Sequence, residues 1–357
     1  AVVLVGTLLA ATTGVVAATV IAMGLISLPI MLRYGYDKRV ACGIIAASGT
    51  LAQIIPPSLV LIILADQLNV SVGDMYRGAL TPSLMLAGFY LGFVFILSLA
   101  KPALVPAMPA AARVLRGKAL WLKAGISILP PLLLIFLVLG TIFMGIATPT
   151  EGGAMGAAGA LALALGKRRL SLEMLKQAMD STARLTSFVI FILIGSTVFS
   201  LVFRLMEGDL WVESLLTGLP GGKIGFLLAV NLLVFVLAFF LDFFEIAFII
   251  VPLLAPVAAK LGIDLIWFGV LLGINMQTSF MHPPFGFALF YLRSVAPKVV
   301  RTTDIYWGAM PFVLIQLLMV ALVLTFPALV GGHVEKFDGG MLDIELDSDS
   351  YLRPPDQ

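Results

Sequence analysis

Residues 276–287, MQTSFMHPPFGF, set Gln277, Thr278, Ser279 and His282 beside two adjacent prolines, Pro283 and Pro284. The flanks are apolar: LIWFGVLLGI ends at Ile274, and ALFYL begins at Ala288. A Pro-Pro pair removes helix donors and clashes with the carbonyls before it. Lipid offers no replacement hydrogen bonds, so broken backbone survives at membrane depth only where it packs in protein or lines a cavity. The fold therefore turns on whether this run crosses a membrane. Composition answers that: of 357 residues 61% are hydrophobic and 12% are charged, about half the charged share of an ordinary globular domain. Runs of about 20 apolar residues, enough to span a bilayer, recur along the chain. The sequence reads as an all-α polytopic membrane protein.

Outward from that stretch, single spans are expected near 40–65, 83–100, 124–146, 150–166, 187–205, 265–292 and 305–330. Two further apolar stretches are interrupted, 1–32 at ATTG (11–14) and 224–259 at LDFFE (241–245). Their halves are too short for ordinary spans, so each reads as a re-entrant hairpin. Residues 167–186 have apolar positions at helical spacing among several charges, which suits a helix lying at the interface. Residues 331–357 turn Gly-rich and then acidic (DIELDSDS), the composition of a disordered tail. No basic start or cleavage site of a signal peptide is visible. The first residues, AVVLVGTLLA, are already mid-run and lack an initiator Met, so an N-terminal truncation is expected. The single cysteine, Cys42, excludes an intrachain disulfide and a cysteine metal cluster. A net charge of +2 carries no nucleic-acid footprint.

A repeat underlies this arrangement. Adding 227 to Pro29, Gly35, Asp37, Pro56 and Pro57 reaches Pro256, Gly262, Asp264, Pro283 and Pro284. Each copy reads hairpin, Pro, Gly-x-Asp, then a helix broken by Pro-Pro. If each hairpin returns to its own side, the loops at 31–39, 101–123, 167–186 and 293–301 share one face and hold 16 of the 22 Lys and Arg. The positive-inside rule makes that face cytoplasmic. The two Gly-x-Asp loops then lie on opposite sides, the repeats are inverted, and the acidic tail is periplasmic.

Small oxygen-bearing side chains stand beside both breaks: Ser48, Gly49 and Thr50 in the first copy, Asn275, Gln277 and Thr278 in the second. In secondary transporters such breaks coordinate Na⁺ while half-helix N-termini face an anionic substrate. The competing reading is local repair of the helix by the same hydroxyls and amides. Asp242, at the second hairpin break, is costly at membrane depth unless it meets a cation or a helix N-terminus. It is assigned to the ion site. ATPTEGGA (147–154) reads as a capped helix start with small residues for close packing. Ser279 and His282, three apart, admit an intramembrane Ser-His hydrolase, though no orienting partner is evident. No zinc, nucleotide or other catalytic motif is present, and no catalytic residue or cofactor is expected beyond Na⁺ as coupling ion.

Three segments together, GLISLPIMLRYGYDKRVACGIIAASGTLAQIIPPS, GIATPTEGGAMGA and FLDFFEIAFIIVPLLAPVAAKLGID with NMQTSFMHPPFGFALFYL, strongly resemble the large membrane subunit of tripartite ATP-independent periplasmic (TRAP) transporters, the DctM-like proteins. The likeness runs from residue 1 to about 330. It implies an elevator-type, Na⁺-driven importer of a small organic anion in the bacterial inner membrane. A small membrane subunit and a periplasmic solute-binding protein would complete the system, in contact with membrane lipid and without nucleic acid. Carried onto this chain, residues 1–65 and 224–292 form the transport domain and 66–223 the scaffold and arm helices. Residues 293–330 form a final transmembrane helix. Substrate would lie between the halves, near Thr12, Thr13 and Gly14 of the first tip and Pro56, Pro57, Ser58, Pro283 and Pro284 of the breaks. One Na⁺ site would join each tip to its broken helix. Family members carry further N-terminal helices, and the acidic tail is not a usual feature of theirs. A stand-alone Na⁺/anion symporter of like architecture is the alternative within transport.

Overall fold

The computed structural model describes residues 1–109, 117–283 and 286–331. Among them every regular element is helical. The first copy runs α1 (Val2–Thr13), α2 (Val16–Arg33), α3 (Lys38–Thr50), a 3-10 turn (Leu51–Gln53), α4 (Leu59–Gln67) and α5 (Val72–Ala100). Between the copies come α6 (Gly117–Ile135), α7 (Pro149–Gly166), α8 (Leu172–Leu205) and α9 (Gly208–Thr217). The second copy runs α10 (Gly222–Leu237), α11 (Phe243–Lys260), α12 (Leu265–Met276), a 3-10 turn (Gln277–Phe280), α13 (Phe287–Val295) and α14 (Thr302–Thr325).

The 227-residue offset reaches further than the punctuating residues that reveal it. Shifted by it, α2 becomes 243–260, the bounds of α11, and the first 3-10 turn falls within the second. Shifted α5 covers α14, so the repeat includes one more helix after each break. The local causes match as well. Gly35 and Gly262 both take left-handed φ, 82° and 65°, where a side chain would be strained. Asp37 then caps α3 by accepting from the N–H groups of Arg39 (2.9 Å) and Val40 (3.2 Å). Asp264 caps α12 by accepting from Trp267 N (2.6 Å).

The copies interlock. α3 packs on α14 as α12 packs on α5, and α13 packs on α2 and α3 as α4 packs on α11 and α12. Contacts exchanged in pairs require a pseudo-two-fold axis. That axis passes between Thr50 and Gln277, which are 227 apart and touch: Gln277 Nε2 donates to Thr50 Oγ1 at 3.2 Å. Where α3 crosses α14 the backbones meet. A Cβ on Gly43 would stand 2.0 Å from the Gly308 carbonyl oxygen, and one on Gly308 2.1 Å from that of Arg39. Such small-residue crossings let membrane helices associate by close packing.

Among the described residues six helices are long and apolar enough to cross a membrane: α2, α5, α6 with its continuation to Phe143, α8, α11 and α14. The chain is a multi-pass membrane protein. α7 is long enough but less apolar than these. Its expected start holds: Thr148 Oγ1 accepts from Glu151 N (3.3 Å) while Glu151 Oε2 accepts from Thr148 N (2.8 Å). Gly152, Gly156 and Gly159 then let α7 lie against Ile142, Val138 and Leu134. Two expectations fail. The second arms of the interrupted stretches, α2 and α11, expected to be too short for a span, are 18 residues each and apolar enough to cross. The interfacial helix of 167–186 is not a separate element, because α8 runs unbroken for 34 residues into the span that follows, about 51 Å. It contains no Pro, and its one glycine is Gly195, so nothing in the backbone stops the amphipathic part from continuing. Residues 332–357, the expected acidic tail, lie outside the described residues.

Candidate functional site

The interruptions fall where they were expected. α1 stops at Thr13 because Gly14 turns left-handed at φ 60°, and its N–H closes on Ala10 O. A Cβ there would sit 2.9 Å from the Pro57 carbonyl oxygen, so the first tip rests on the first Pro-Pro break. α10 ends at Leu237, and Asp242 restarts the chain as α11 by accepting from Phe243 N at 2.7 Å. Asp242 therefore does serve as an N-cap. It lies opposite Val15 in the repeat, and both open the second arm of a helical pair.

Between the tips lies a cavity of ≈ 620 Å³, within the usual range of small-molecule sites. Residues 14–17 of the first tip and 242–245 of the second line it, with Gln53 and Val60 from the first broken helix and Phe280 and Phe287 from the second. Most of these walls are related by the 227-residue offset: Val15 with Asp242, Gln53 with Phe280, Val60 with Phe287. α8 adds Arg184, Leu185 and Phe188. Two buried acceptors in this lining receive no hydrogen bond, Gln53 Oε1 and Glu245 Oε2. The lining holds two carboxylates, Asp242 and Glu245, and one guanidinium, Arg184.

Of the expected ion-site residues, Asp242 alone lines the cavity. The rest form a buried polar layer behind it. Ser48 donates to Ile44 O (2.6 Å), Thr50 to Ala47 O (2.9 Å) and Thr278 to Asn275 O (2.7 Å), so these hydroxyls repair their own helices. Gly49 packs against Val20. Asn275 Nδ2 donates to Asn231 O (2.7 Å) and Oδ1 (3.1 Å), tying the second broken helix to α10. Gln316 of α14 reaches Thr50 Oγ1 at 3.5 Å, and the Tyr90 hydroxyl faces both without the geometry of a full hydrogen bond. This layer also holds acceptors with no donor: Asn275 Oδ1, Gln277 Oε1 and Gln316 Oε1. Each unmade bond in a buried site costs free energy, and neutral amide oxygens of this kind suit a hard cation.

Of the expected substrate residues, Gly14 lines the cavity. Thr12 and Thr13 donate back to carbonyls of α1, and Thr13 Oγ1 also meets Thr19 Oγ1 at 2.7 Å. Ser58 donates to Gln53 O and caps α4 at Leu61 N (3.4 Å). Pro56, Pro57 and Pro283 form the breaks without reaching the cavity wall, and Pro284 lies outside the described residues. Sequence reasoning missed Gln53, Arg184 and Phe188, and it left Glu245 undecided. The offset that exposed the repeat also signals Gln53, since it maps onto Phe280. Ser279 Oγ and both His282 ring nitrogens have no hydrogen-bond partner, so the pair that a hydrolase needs is not formed. His282 instead stacks on Phe239 with ring centroids 4.3 Å apart.

Residues 1–329 match the family described as "Tripartite ATP-independent periplasmic transporter, DctM component". Among curated proteins, the chain is 32% identical to the C4-dicarboxylate TRAP transporter large permease protein DctM of Pseudomonas aeruginosa, over 90% of this chain and 73% of that one. It is 30% identical to the protein of the same name from Rhodobacter capsulatus, over 90% of this chain and 74% of that one. The isethionate TRAP transporter permease protein DctMQ of Oleidesulfovibrio alaskensis matches at 27% over 90% of this chain and 50% of its own length. A match over nearly the whole chain, joined to a fold of interlocked repeats with broken helices, makes this a transporter subunit and not an enzyme: it belongs to the DctM family of TRAP transporter large permeases.

Proposed function

We propose that this subunit carries a small organic anion, a carboxylate, into the cell together with Na⁺. A periplasmic solute-binding protein delivers the anion, and a small membrane subunit completes the complex in the bacterial inner membrane. The observation that carries the reading is the cavity itself, walled by both tips and both broken helices at repeat-related positions. Three relatives are named for anions: C4-dicarboxylates, isethionate and sialic acid. Charge supports the coupling. An anion entering this cavity meets Asp242 and Glu245, and two carboxylates oppose it in a site of low dielectric. Bound Na⁺ removes that repulsion, so the ion and the anion favour each other's binding. The donor-free oxygens of Asn275 and Gln277 lie in the layer behind, where Ser48, Gly49, Thr50 and Thr278 also stand.

In this reading the hairpins are re-entrant, the tail is periplasmic, and the moving unit comprises residues 1–65 and 224–292. We extend that unit to α14, because helices in backbone contact at Gly43 and Gly308 cannot slide past each other. The force is the Na⁺ gradient with the membrane potential, about 2.3 kcal/mol per charge per 100 mV. The test is radiolabelled uptake into proteoliposomes holding the membrane complex and its binding protein, under an inward Na⁺ or K⁺ gradient. Uptake is expected with Na⁺ only, and Asp242→Ala and Asn275→Ala are expected to abolish it. Equal uptake in K⁺, or folded variants that transport normally, removes the ion assignment.

A further inference from the structure

The cavity between the tips is lined unequally by the two repeats. Where the first repeat places Val16, Ala17 and Val60, the second places Phe243, Phe244 and Phe287, each 227 positions later. Gln53 is matched in the same way by Phe280. One wall is aliphatic with an amide, and the other is aromatic. The rings of the second wall touch in series: Phe244 with Phe243 at 4.1 Å between centroids, Phe243 with Phe280 at 6.4 Å, and Phe280 with Phe287 at 6.1 Å. Phe188 of α8 closes the surface edge-on to Phe244 at 5.7 Å. Phe188 and Phe287 keep 45% and 38% of their surface exposed, so they remain open to a guest.

The polar part is small and separate. Arg184 is the one cation in the described lining, and among the described residues it makes no ion pair. Gln53, 3% exposed, offers an amide whose oxygen receives no donor. A guanidinium binds one carboxylate well, through paired N–H donors. A second carboxylate on the same guest would find no second cation in the described lining and would lie against the aromatic wall, where it is desolvated. A flat apolar ring gains from that wall by edge-to-face and offset contacts.

We infer that the transported anion is a monocarboxylate with an aromatic body, an arylacetate or arylcarboxylate, and not a dicarboxylate. This rests on the cavity being the transport site, as proposed above. The test is equilibrium binding of radiolabelled phenylacetate and radiolabelled succinate to the purified complete membrane complex in lipid nanodiscs, in Na⁺ and in K⁺. Phenylacetate is expected to bind about tenfold more tightly than succinate, the scale of a few added aromatic contacts. Phe188→Ala and Phe287→Ala should each weaken phenylacetate by about threefold to tenfold and weaken succinate by less. Arg184→Gln should weaken both. Succinate binding as tightly as phenylacetate, or phenylacetate binding untouched by either Phe variant, overturns the inference. So does the absence of phenylacetate binding in a complex that still drives Na⁺-dependent uptake of another anion, and that result leaves the transport reading standing. Phenylacetate binding that depends on the rings but is equal in K⁺ supports the substrate class and removes the coupling.

Discussion

Gly43 and Gly308 show how little room a single position leaves. A Cβ at either would overlap a carbonyl oxygen of the facing helix, and neither backbone can retreat without opening the crossing of α3 and α14. Gly43→Ala should therefore cost about 1–3 kcal/mol, as overpacked cores do, and lower the thermal unfolding temperature of the purified protein. Gly92→Ala is the control, since nothing lies within 4 Å of the added Cβ and a helical Ala is favoured over Gly. An equal loss in both variants would mean that the crossing of α3 and α14 does not set the effect, since helix propensity alone favours Ala at both positions. At this scale the sequence was legible where a residue type has few possible reasons, as with Asp242 at a break. Arg184 was not. It sits in a run of charges that reads as a solvated face, and its approach to the tips depends on where the continuous helix α8 lies.

Among elements, the two caps offer a paired experiment. Asp37 and Asp264 occupy equivalent positions and start equivalent helices. Removal of such a cap typically costs about 1 kcal/mol. Asp37→Ala and Asp264→Ala should each destabilise the protein by about that amount, and chemical denaturation of the two variants should give similar losses. A large difference would show that one Gly-x-Asp loop has work beyond capping. The elements themselves were legible wherever punctuation is strong: both Gly-x-Asp loops, the first Pro-Pro and the Thr148–Glu151 box all lie where they were read. The junction near residue 186 was misread because hydropathy changes there while the backbone does not. A change of solvent along a helix leaves no mark in the dihedral angles. The repeat was read as ending at the breaks for a related reason: α5 and α14 each carry a proline, Pro82 and Pro311, but not 227 apart, so only the helix positions reveal the kinship.

For the whole molecule, inverted repeats make a claim about sides. Arg33 and Lys260 are 227 apart, end equivalent helices and are both exposed. The native Cys42 is buried and stays silent to reagents. Single variants Arg33→Cys and Lys260→Cys, treated in oriented vesicles with a membrane-impermeant maleimide, should label from opposite sides, Arg33→Cys from the cytoplasmic one. Labelling from the same side would leave the 227-residue repeat intact but make it parallel. The contact between Thr50 and Gln277 has a chemical corollary for how such a molecule can arise. A position on a two-fold axis meets its own counterpart, so in a pair of identical halves one residue must bond to a copy of itself. Charged side chains repel their copies, and pure donors or pure acceptors cannot pair with them. Hydroxyls and carboxamides can, being donor and acceptor at once, and the two residues found there, a threonine and a glutamine, are one of each.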